Sequence, residues 1–478
     1  MKTTKILFGT AAILLSAASA SAQIGKPFIH DPSTIMECDG KYYTFGTGGG
    51  GLISADGYTW DGGAVRPGGG AAPDAVKIGD RYLVGYSATG GGLGGGHAGR
   101  ILTMWNKTLD PNSPDFAYSE PIQVAESVVD EDCDAIDVSF LLDPTTGRLW
   151  CTYGTYFGNI RLVELDPKTG ARMPGNKAVD VAIDCEASDL IYKDGWYYLL
   201  GTHGTCCDGV NSTYNIICGR SRVVTGPYYD NMGRDMMLGG GKMVIGSGRE
   251  RTFGAGHFGR MVEEEGVEKC SFHWEGDLDR SGRSVLAVEP LVWVNGWPVC
   301  GKKVQDGEYS IQSVRRGYGL ELTVDFQRAN IQRVARGADV PDVALENQKL
   351  AEVIGTWPTG NTEVRCSDYM NRPHQNWVIT SVPELGGTIA GSYVKITIAG
   401  TNRALAAKAG AELETVPEFT GADEQLWRID QLTDGTYRLS PKAVPGCSEK
   451  LCLVCTSDSN VSLAKFDMNS DNCKWMFE

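Results

Sequence analysis

Apolar residues in the first 300 positions come in short bursts, not at helical spacing. CDGKYYTFGTG begins at Cys38, IGDRYLVGYSATG at Ile78, TGRLWCTYGTY at Thr146 and KDGWYYLLGTH at Lys193. Each is a glycine-containing turn, an aromatic-rich strand and a small-residue exit, the pattern of short β-strands. A short segment with an acid precedes each: HDPS with Asp31, APDA with Asp74, AIDVS with Asp137 and CEAS with Glu186. A fifth segment, FGAGHFGR with His257, precedes the apolar runs Cys270–Trp274 and Val285–Trp293. The unit recurs about every 43–71 residues, which suits four-stranded blades and predicts an all-β, five-bladed β-propeller. Inner strands of a propeller line one central channel, so the five segments are expected to converge there.

The chain changes character after NGWPVCGKK. HQNWVI carries Gln375 and Trp377, DEQLWRI carries Gln425 and Trp427, and NCKWMF carries Trp475 with Cys473 in place of the glutamine. The tryptophans are 50 and 48 residues apart. Three such units resemble a ricin-type β-trefoil, which implies that the tryptophans are core. GLELTV resembles the sugar-binding turn of such lectins, with Glu321 at the acidic position. Ala406 and Val454 stand at the matching positions of the other two units, so Glu321 is the candidate trefoil sugar contact. The expected organisation is a leader at 1–22, the propeller at 23–303 and the trefoil at 306–478, a separate unit.

Lys2 and Lys5, an apolar stretch from Ile6 to Ala18 and the Ala20-Ser21-Ala22 site make a secretory signal peptide, so an exported protein is expected, periplasmic or extracellular. No later run reaches about 18 apolar residues, so membrane insertion is not expected. A net charge of −15 argues against nucleic acid and favours a neutral substrate over a polyuronate. The 14 cysteines, about 3% of the chain, read as packing residues with a few bridges; adjacent Cys206 and Cys207 are not expected to bond each other. The sequence carries no signal for oligomeric state and no motif for an organic cofactor. GGGLGGGH, Gly90 to His97, lacks the lysine of a phosphate loop and reads as a rim.

A funnel holding Asp31, Asp137 and Glu186 points to glycoside hydrolysis, which needs one carboxylic acid to protonate the leaving oxygen and one carboxylate as base or nucleophile. An apolar flank suits Glu186 to the acid role by raising its pKa, and Asp137 is expected to assist by like-charge repulsion. Asp31 is then the base. Asp74, Thr155, Phe157 and Tyr214 are candidate substrate contacts, and Trp60 is a further aromatic candidate.

CCDGVNSTYNIICGRSRVVTGPYYDNMGRDMMLGGGK, from Cys206 to Lys242, resembles the endo-α-1,5-arabinanase branch of the family 43 glycoside hydrolases. HDPST, APDAV, DAID, CEAS, GAGHFGR and LVWVNGWPV do so too, over about residues 27–300. The resemblance implies an inverting enzyme acting on a neutral plant polysaccharide or oligosaccharide, with Asp31 as general base, Asp137 as pKa modulator and Glu186 as general acid. It implies that His257 holds a metal ion, usually calcium, together with waters. Ala71 replaces a usual tryptophan, Asp134 an asparagine, Val138 a proline and Asp208 an arginine. The lost tryptophan and arginine bear on sugar contacts, which leaves exo action on arabinofuranosyl side chains open. The same residues also admit a catalytically silent binding propeller, or a retaining, fructan-active five-bladed enzyme.

Overall fold

The computed structural model describes residues 23–66, 68, 70–88, 99–127, 134–155, 158–248, 252–324, 350–456 and 459–478. Glycine-rich residues 90–97, Phe157 and the leader lie outside them.

The propeller is there, with its blades in chain order. Blade one holds Met36–Cys38, Lys41–Phe45, Gly50–Ser54 and Thr59–Val65, with Ile24–Gly25 added in parallel to the last strand. Blade two runs from Ala71–Ile78 to Ile122–Glu126, blade three from Ser139–Leu142 to Val179–Ala182. Blade four runs from Glu186–Lys193 to Lys242–Ile245, and blade five from Ala255–Glu264 to Trp297–Cys300. Phe28 pairs with Val285 in blade five, so the N-terminal segment closes the ring. Asp39-Gly40, Asp194-Gly195 and Asn295-Gly296 have φ between 50° and 79° at both turn positions. Those values suit two-residue hairpins and fix the register of the flanking strands.

The strands read as continuous apolar runs because both of their faces are buried between blades. In blade four, Leu190, Tyr197 and Leu199 face the cluster shared with blade three. Their neighbours Ile191, Tyr198 and Leu200 face the cluster shared with blade five. Tyr82 and Val84 of blade two likewise pack toward blade one, and Leu83 toward blade three. Side chains alternate across a strand, so each strand supplies two interfaces at once.

The next strand begins at Gly307, and residues 307–477 build a ten-stranded sheet system with one short helix described, Leu350–Ile354. A threefold repeat is visible there. A single 3-10 turn precedes each of Trp377, Trp427 and Trp475. All three indoles are fully buried and donate to a backbone carbonyl twenty-two or more residues back: Leu320 (2.8 Å), Leu405 (3.0 Å) and Leu453 (2.9 Å).

The C-terminal unit is bound firmly to the propeller. Ile389 packs in the cluster that contains Trp60, Leu52 and Leu286. The Trp293 N–H donates to Thr433 O (2.7 Å), and the Thr433 N–H to Gly266 O (3.0 Å). Lys269, in strand Val267–Asp277 of blade five, is fully buried against Asp430 at 2.8 Å. Among the described residues, no helix is long and apolar enough to cross a membrane.

Candidate active site

One end of the channel uses the same backbone device five times. The residue opening each inner segment has left-handed φ: Asp31 (52°), Ala72 (44°), Asp137 (59°), Ala187 (46°) and His257 (61°). None is glycine, so each conformation costs on the order of 1–3 kcal/mol that the surroundings must offset. The ladder slips between Ala71 and Asp74, Glu186 and Asp189, and Gly256 and Gly259, which re-aims side chains at these points.

The N–H of each such residue is tied to the blade before it. Ala72 donates to Thr47 Oγ1, Asp137 to Ser87 Oγ and His257 to Thr202 Oγ1, each at 3.0 Å. Asp31 donates to His273 Nδ1 at 3.2 Å. All four acceptors lie on or just after the second strand of the preceding blade. Blade four is the exception: Ala187 donates to the carboxylate of Asp137, Oδ2, at 2.9 Å. Asp137 is thereby oriented by the backbone that carries Glu186 one residue earlier.

The five segments converge as expected, but their functional side chains do not share one position. Asp31, Asp137 and His257 occupy the left-handed site. Glu186 stands one residue before it, and Asp74 two residues after it. Asp74 therefore lies deeper and is 3% exposed. Its oxygens accept the N–H groups of Thr34 (3.0 Å) and Phe140 (2.9 Å), linking the inner segments of blades one, two and three. Burial raises its carboxyl. This corrects the expectation of a sugar contact at Asp74: its carboxylate is engaged by the scaffold.

Asp31 sits among three of the six histidines of the chain. His30 Nε2 is 3.6 Å and His257 Nδ1 3.7 Å from its Oδ1. Thr47 donates to Oδ2 at 2.5 Å. Burial would raise the Asp31 carboxyl, but His30, His257, His273 and the Thr47 hydroxyl together hold it below its ordinary value. A carboxylate kept ionised suits a base. Asp137 is pushed well above the usual range, by burial first and then by the charges of Glu186 and Asp31. The expected like-charge coupling is present: after burial, the Glu186 charge is the next cause of the rise at Asp137. The buried ring of His273 is held well below its ordinary value, by burial first. An acceptor at Nδ1 agrees with a neutral ring carrying its proton on Nε2.

His30 and His273 were not singled out by sequence. The signal that could have found them was scarcity: few histidines, one of them adjacent to Asp31. Thr155 is buried just beyond strand Leu149–Tyr153. Tyr214 is 4% exposed, and its hydroxyl donates to Glu186 Oε1. Trp60 is fully buried, with its indole N–H on Gly57 O at 3.1 Å, so it is core and not a sugar platform.

Cys206 and Cys207 are joined in a disulfide, against the expectation for adjacent cysteines. The pair flanks the funnel: Cys207 Sγ is 3.9 Å from His30 Nε2, and its N–H donates to Glu275 Oε1 at 2.6 Å. In the C-terminal unit Glu321 is fully buried. Its carboxylate accepts from Arg365 (2.6 Å) and Gln375 (2.8 Å), with His374 at 3.3 Å. This corrects the sugar-contact expectation there too, because the acid is committed to a buried network.

The residues offer partial support for a metal. His257 Nδ1 is buried without a hydrogen-bond partner, as a ligand or water-binding atom would be; His273 Nε2 is likewise unpartnered, and carrying that ring's proton it is suited to donate to a water. Donor atoms of His30, Asp31 and His273 lie within 4.8 Å of one another. One carboxylate oxygen among imidazoles is far short of the six to eight oxygens that calcium prefers. The set fits calcium only if waters supply the rest of the shell.

Residues 53–298 match the sequence profile of Glycosyl hydrolases family 43. The extracellular exo-α-(1→5)-L-arabinofuranosidase of Cellvibrio japonicus is 31% identical over 346 residues, which is 63% of this chain and 94% of that protein. The extracellular endo-α-(1→5)-L-arabinanase 1 of Bacillus subtilis is 33% identical over 181 residues, 37% of this chain and 53% of that protein. Among solved structures, an exo-1,5-α-L-arabinanase from a bovine ruminal metagenomic library superposes with a TM-score of 0.53 at 29% identity, covering 60% of this chain and 99% of that one. Cellvibrio cellulosa α-L-arabinanase in complex with arabinohexaose gives 0.52 at 26% identity, covering 57% and 95%. The profile spans more than half of the sequence and the matched relatives share the propeller, so the chain belongs to glycosyl hydrolases family 43 and is a glycoside hydrolase.

Proposed function

We propose that this is an exported enzyme cleaving α-L-arabinofuranosidic bonds of arabinan or of arabinose-containing plant polysaccharide, with inversion. The observation that carries the reading is the pairing of opposite electrostatic states. The Asp31 carboxyl is held below its ordinary value by its imidazole and hydroxyl neighbours, while burial first and then the charges of Glu186 and Asp31 push the Asp137 carboxyl well above its own. One site thus offers a base and an acid at the same pH, as hydrolysis by two carboxyl groups requires.

In the proposed reaction Asp31 takes a proton from water as the water oxygen bonds to the anomeric carbon. The bond to the leaving oxygen breaks, and Glu186 gives that oxygen its proton. Asp137, fixed by the Ala187 N–H, keeps Glu186 in the protonated form between turnovers. The polar, uncharged character of an arabinan suits the acidic chain. Export is supported by the word extracellular in the names of two relatives. A calcium ion at His257, completed by waters, would add fixed positive charge beside Asp31. We also read residues 306–478 as a β-trefoil, on the threefold tryptophan repeat.

Exo action is a second reading, favoured by the exo-acting relative that aligns over 94% of its length. Sizing products from debranched and branched arabinan separates the two: arabinose alone marks exo action, a ladder of oligosaccharides endo action. The acid assignment is tested by Glu186→Gln, expected to lower kcat on arabino-oligosaccharides at least about 10²-fold with folding intact. Near-full activity would overturn it.

A further inference from the structure

We propose that Tyr214 is a positioning residue for the acid: its hydroxyl donates to Oε1 of Glu186 and so directs the transferable proton to Oε2. The inference rests on the reading of Glu186 as general acid. It replaces the expectation that Tyr214 is a substrate contact.

The ring has no room for stacking. Tyr214 is 4% exposed. One side lies on the backbone of Gly256, where an added Cβ would come within 2.7 Å of Tyr214 Cδ2. Its centroid is 6.3 Å from that of His273. Gly256 precedes His257 just as Glu186 precedes Ala187, so it holds in blade five the position that the acid holds in blade four. The side chain missing at Gly256 is the space that the tyrosine ring fills. From there only the hydroxyl end reaches the acid. The backbone of Tyr214 is fixed as well: its N–H donates to Ser212 Oγ (3.3 Å), and that hydroxyl donates to Thr205 O (2.8 Å).

A phenol that donates to one carboxyl oxygen does two things. It disfavours the proton on that oxygen, because two donors would then face each other. It also strengthens as the acid ionises, since hydrogen bonds to charged acceptors are about twice as strong as neutral ones. As the glycosidic bond breaks, the Oε2–H bond breaks and an O–H bond forms on the leaving oxygen. The electron pair left on the carboxylate is met by a donor already in place. Charge balances within the site, because Asp31 gains the proton of the attacking water.

The benefit is confined to reactions whose leaving group needs protonation. Tyr214→Phe keeps the ring and removes only the hydroxyl. It is expected to lower kcat on arabinotriose about 10- to 100-fold, the range for one lost hydrogen bond to a charged group. On 2,4-dinitrophenyl α-L-arabinofuranoside, whose leaving group departs unaided, the loss is expected to stay within about 3-fold. Placed in a Glu186→Gln background, Tyr214→Phe should cost less than about 2-fold more, since no proton remains to direct. Equal losses on both substrates, a rise in KM with unchanged kcat, or full additivity in the double variant would each overturn the proposal. Failure of Glu186→Gln alone to discriminate between the two substrates would instead refute the acid assignment beneath it. Far-ultraviolet circular dichroism and melting of each variant establish that folded protein is compared.

Discussion

Asp430→Asn is the sharpest test of how the two halves of the chain are joined. Asp430 is fully buried, and its carboxylate meets three cations: Lys269 from the propeller, Arg428 and Arg438, each at 2.8 Å. Glu263 of the propeller holds Arg428 at 2.6 Å, and Glu264 holds Arg438. The six groups are three positive and three negative, so the network is neutral, with Glu264 at its solvent-facing edge. The amide substitution keeps the shape and removes one anion at the centre. Lys269 has 1% of its side chain exposed, and no other anion pairs with it among the described residues. The relevant magnitude is not the Coulomb attraction but the penalty for leaving a buried charge uncompensated, about 3–5 kcal/mol. At roughly 2–4 °C per kcal/mol for units of this size, the melting point should fall about 6–20 °C. Lys269→Met, by contrast, leaves Asp430 with two arginines and should cost under about 2 kcal/mol. Three cations hold Asp430 well below the ordinary carboxylate range against its burial, so its stabilisation is present above about pH 4 and lost only as pH falls through the lower folded value. The assay is urea unfolding followed by both tryptophan fluorescence and circular dichroism, since a chain with several cores need not be two-state. An Asp430→Asn protein within about 1 kcal/mol of the parent, or a Lys269→Met protein that suffers more, would refute the reasoning. A chain ending near Gln305 would expose Lys269 and remove Ile389 from the Trp60 cluster, so it should be insoluble or strongly destabilised. Recovery of a soluble, fully active propeller would restore the picture of a freely tethered module.

Two further outcomes follow from the carboxylate trio. Proton NMR of the first-formed product should show the β-anomer from an α-arabinofuranoside; a first-formed α-anomer rules out inversion. Asp137→Asn should lower kcat at least about 10²-fold while making stability less dependent on pH. The sign follows from the raised folded pKa: between the ordinary carboxylate value and the raised one the folded state binds more protons than the unfolded, so stability falls as pH rises. Differential scanning calorimetry at pH 5 and pH 8 should therefore show a smaller gap in melting point for the variant, and an unchanged gap would mean that Asp137 ionises normally.

The blades were legible because burial on both faces leaves a mark no surface strand leaves. YYLLG in blade four is apolar at every position, since Tyr197 and Leu199 serve one interface and Tyr198 and Leu200 the other. Asp-Gly and Asn-Gly turns set the boundaries. The convergence of the segments was legible because an acid ahead of each such strand must fall near the channel. What stayed hidden was register at the mouth. Ala72 and Ala187 adopt the same left-handed conformation as Asp31 and Asp137, yet alanine announces nothing of the kind. Acids on neighbouring segments therefore looked equivalent when they stand at three different depths. Lys269 was hidden for a related reason: in VEKCSF a lysine reads as a solvent-facing strand residue, and its partner lies 161 residues later.

The hidden register is also where the chemistry departs from the symmetry of the fold. A five-fold propeller tends to present five equivalent side chains at one height, while hydrolysis needs an acid and a base in different electrostatic states. The chain breaks the equivalence at blade four. There the N–H that in four blades is bound by Thr47, Ser87, Thr202 or His273 is bound by the Asp137 carboxylate. That substitution draws Asp137 toward the strand bearing Glu186 and couples the two carboxyls. On the proposed assignment, alanine at the left-handed site leaves the acid function to the residue before it. A one-residue offset along a strand changes the side from which a side chain approaches. Glu186 thus meets the site from a direction different from that of Asp31 and Asp137. Blade five makes the complementary departure, with Gly256 at the position matching Glu186 and admitting the Tyr214 ring whose hydroxyl donates to Glu186. On the proposed assignment, acid and base are told apart by two small residues, Ala187 and Gly256, whose contribution is the side chain they lack.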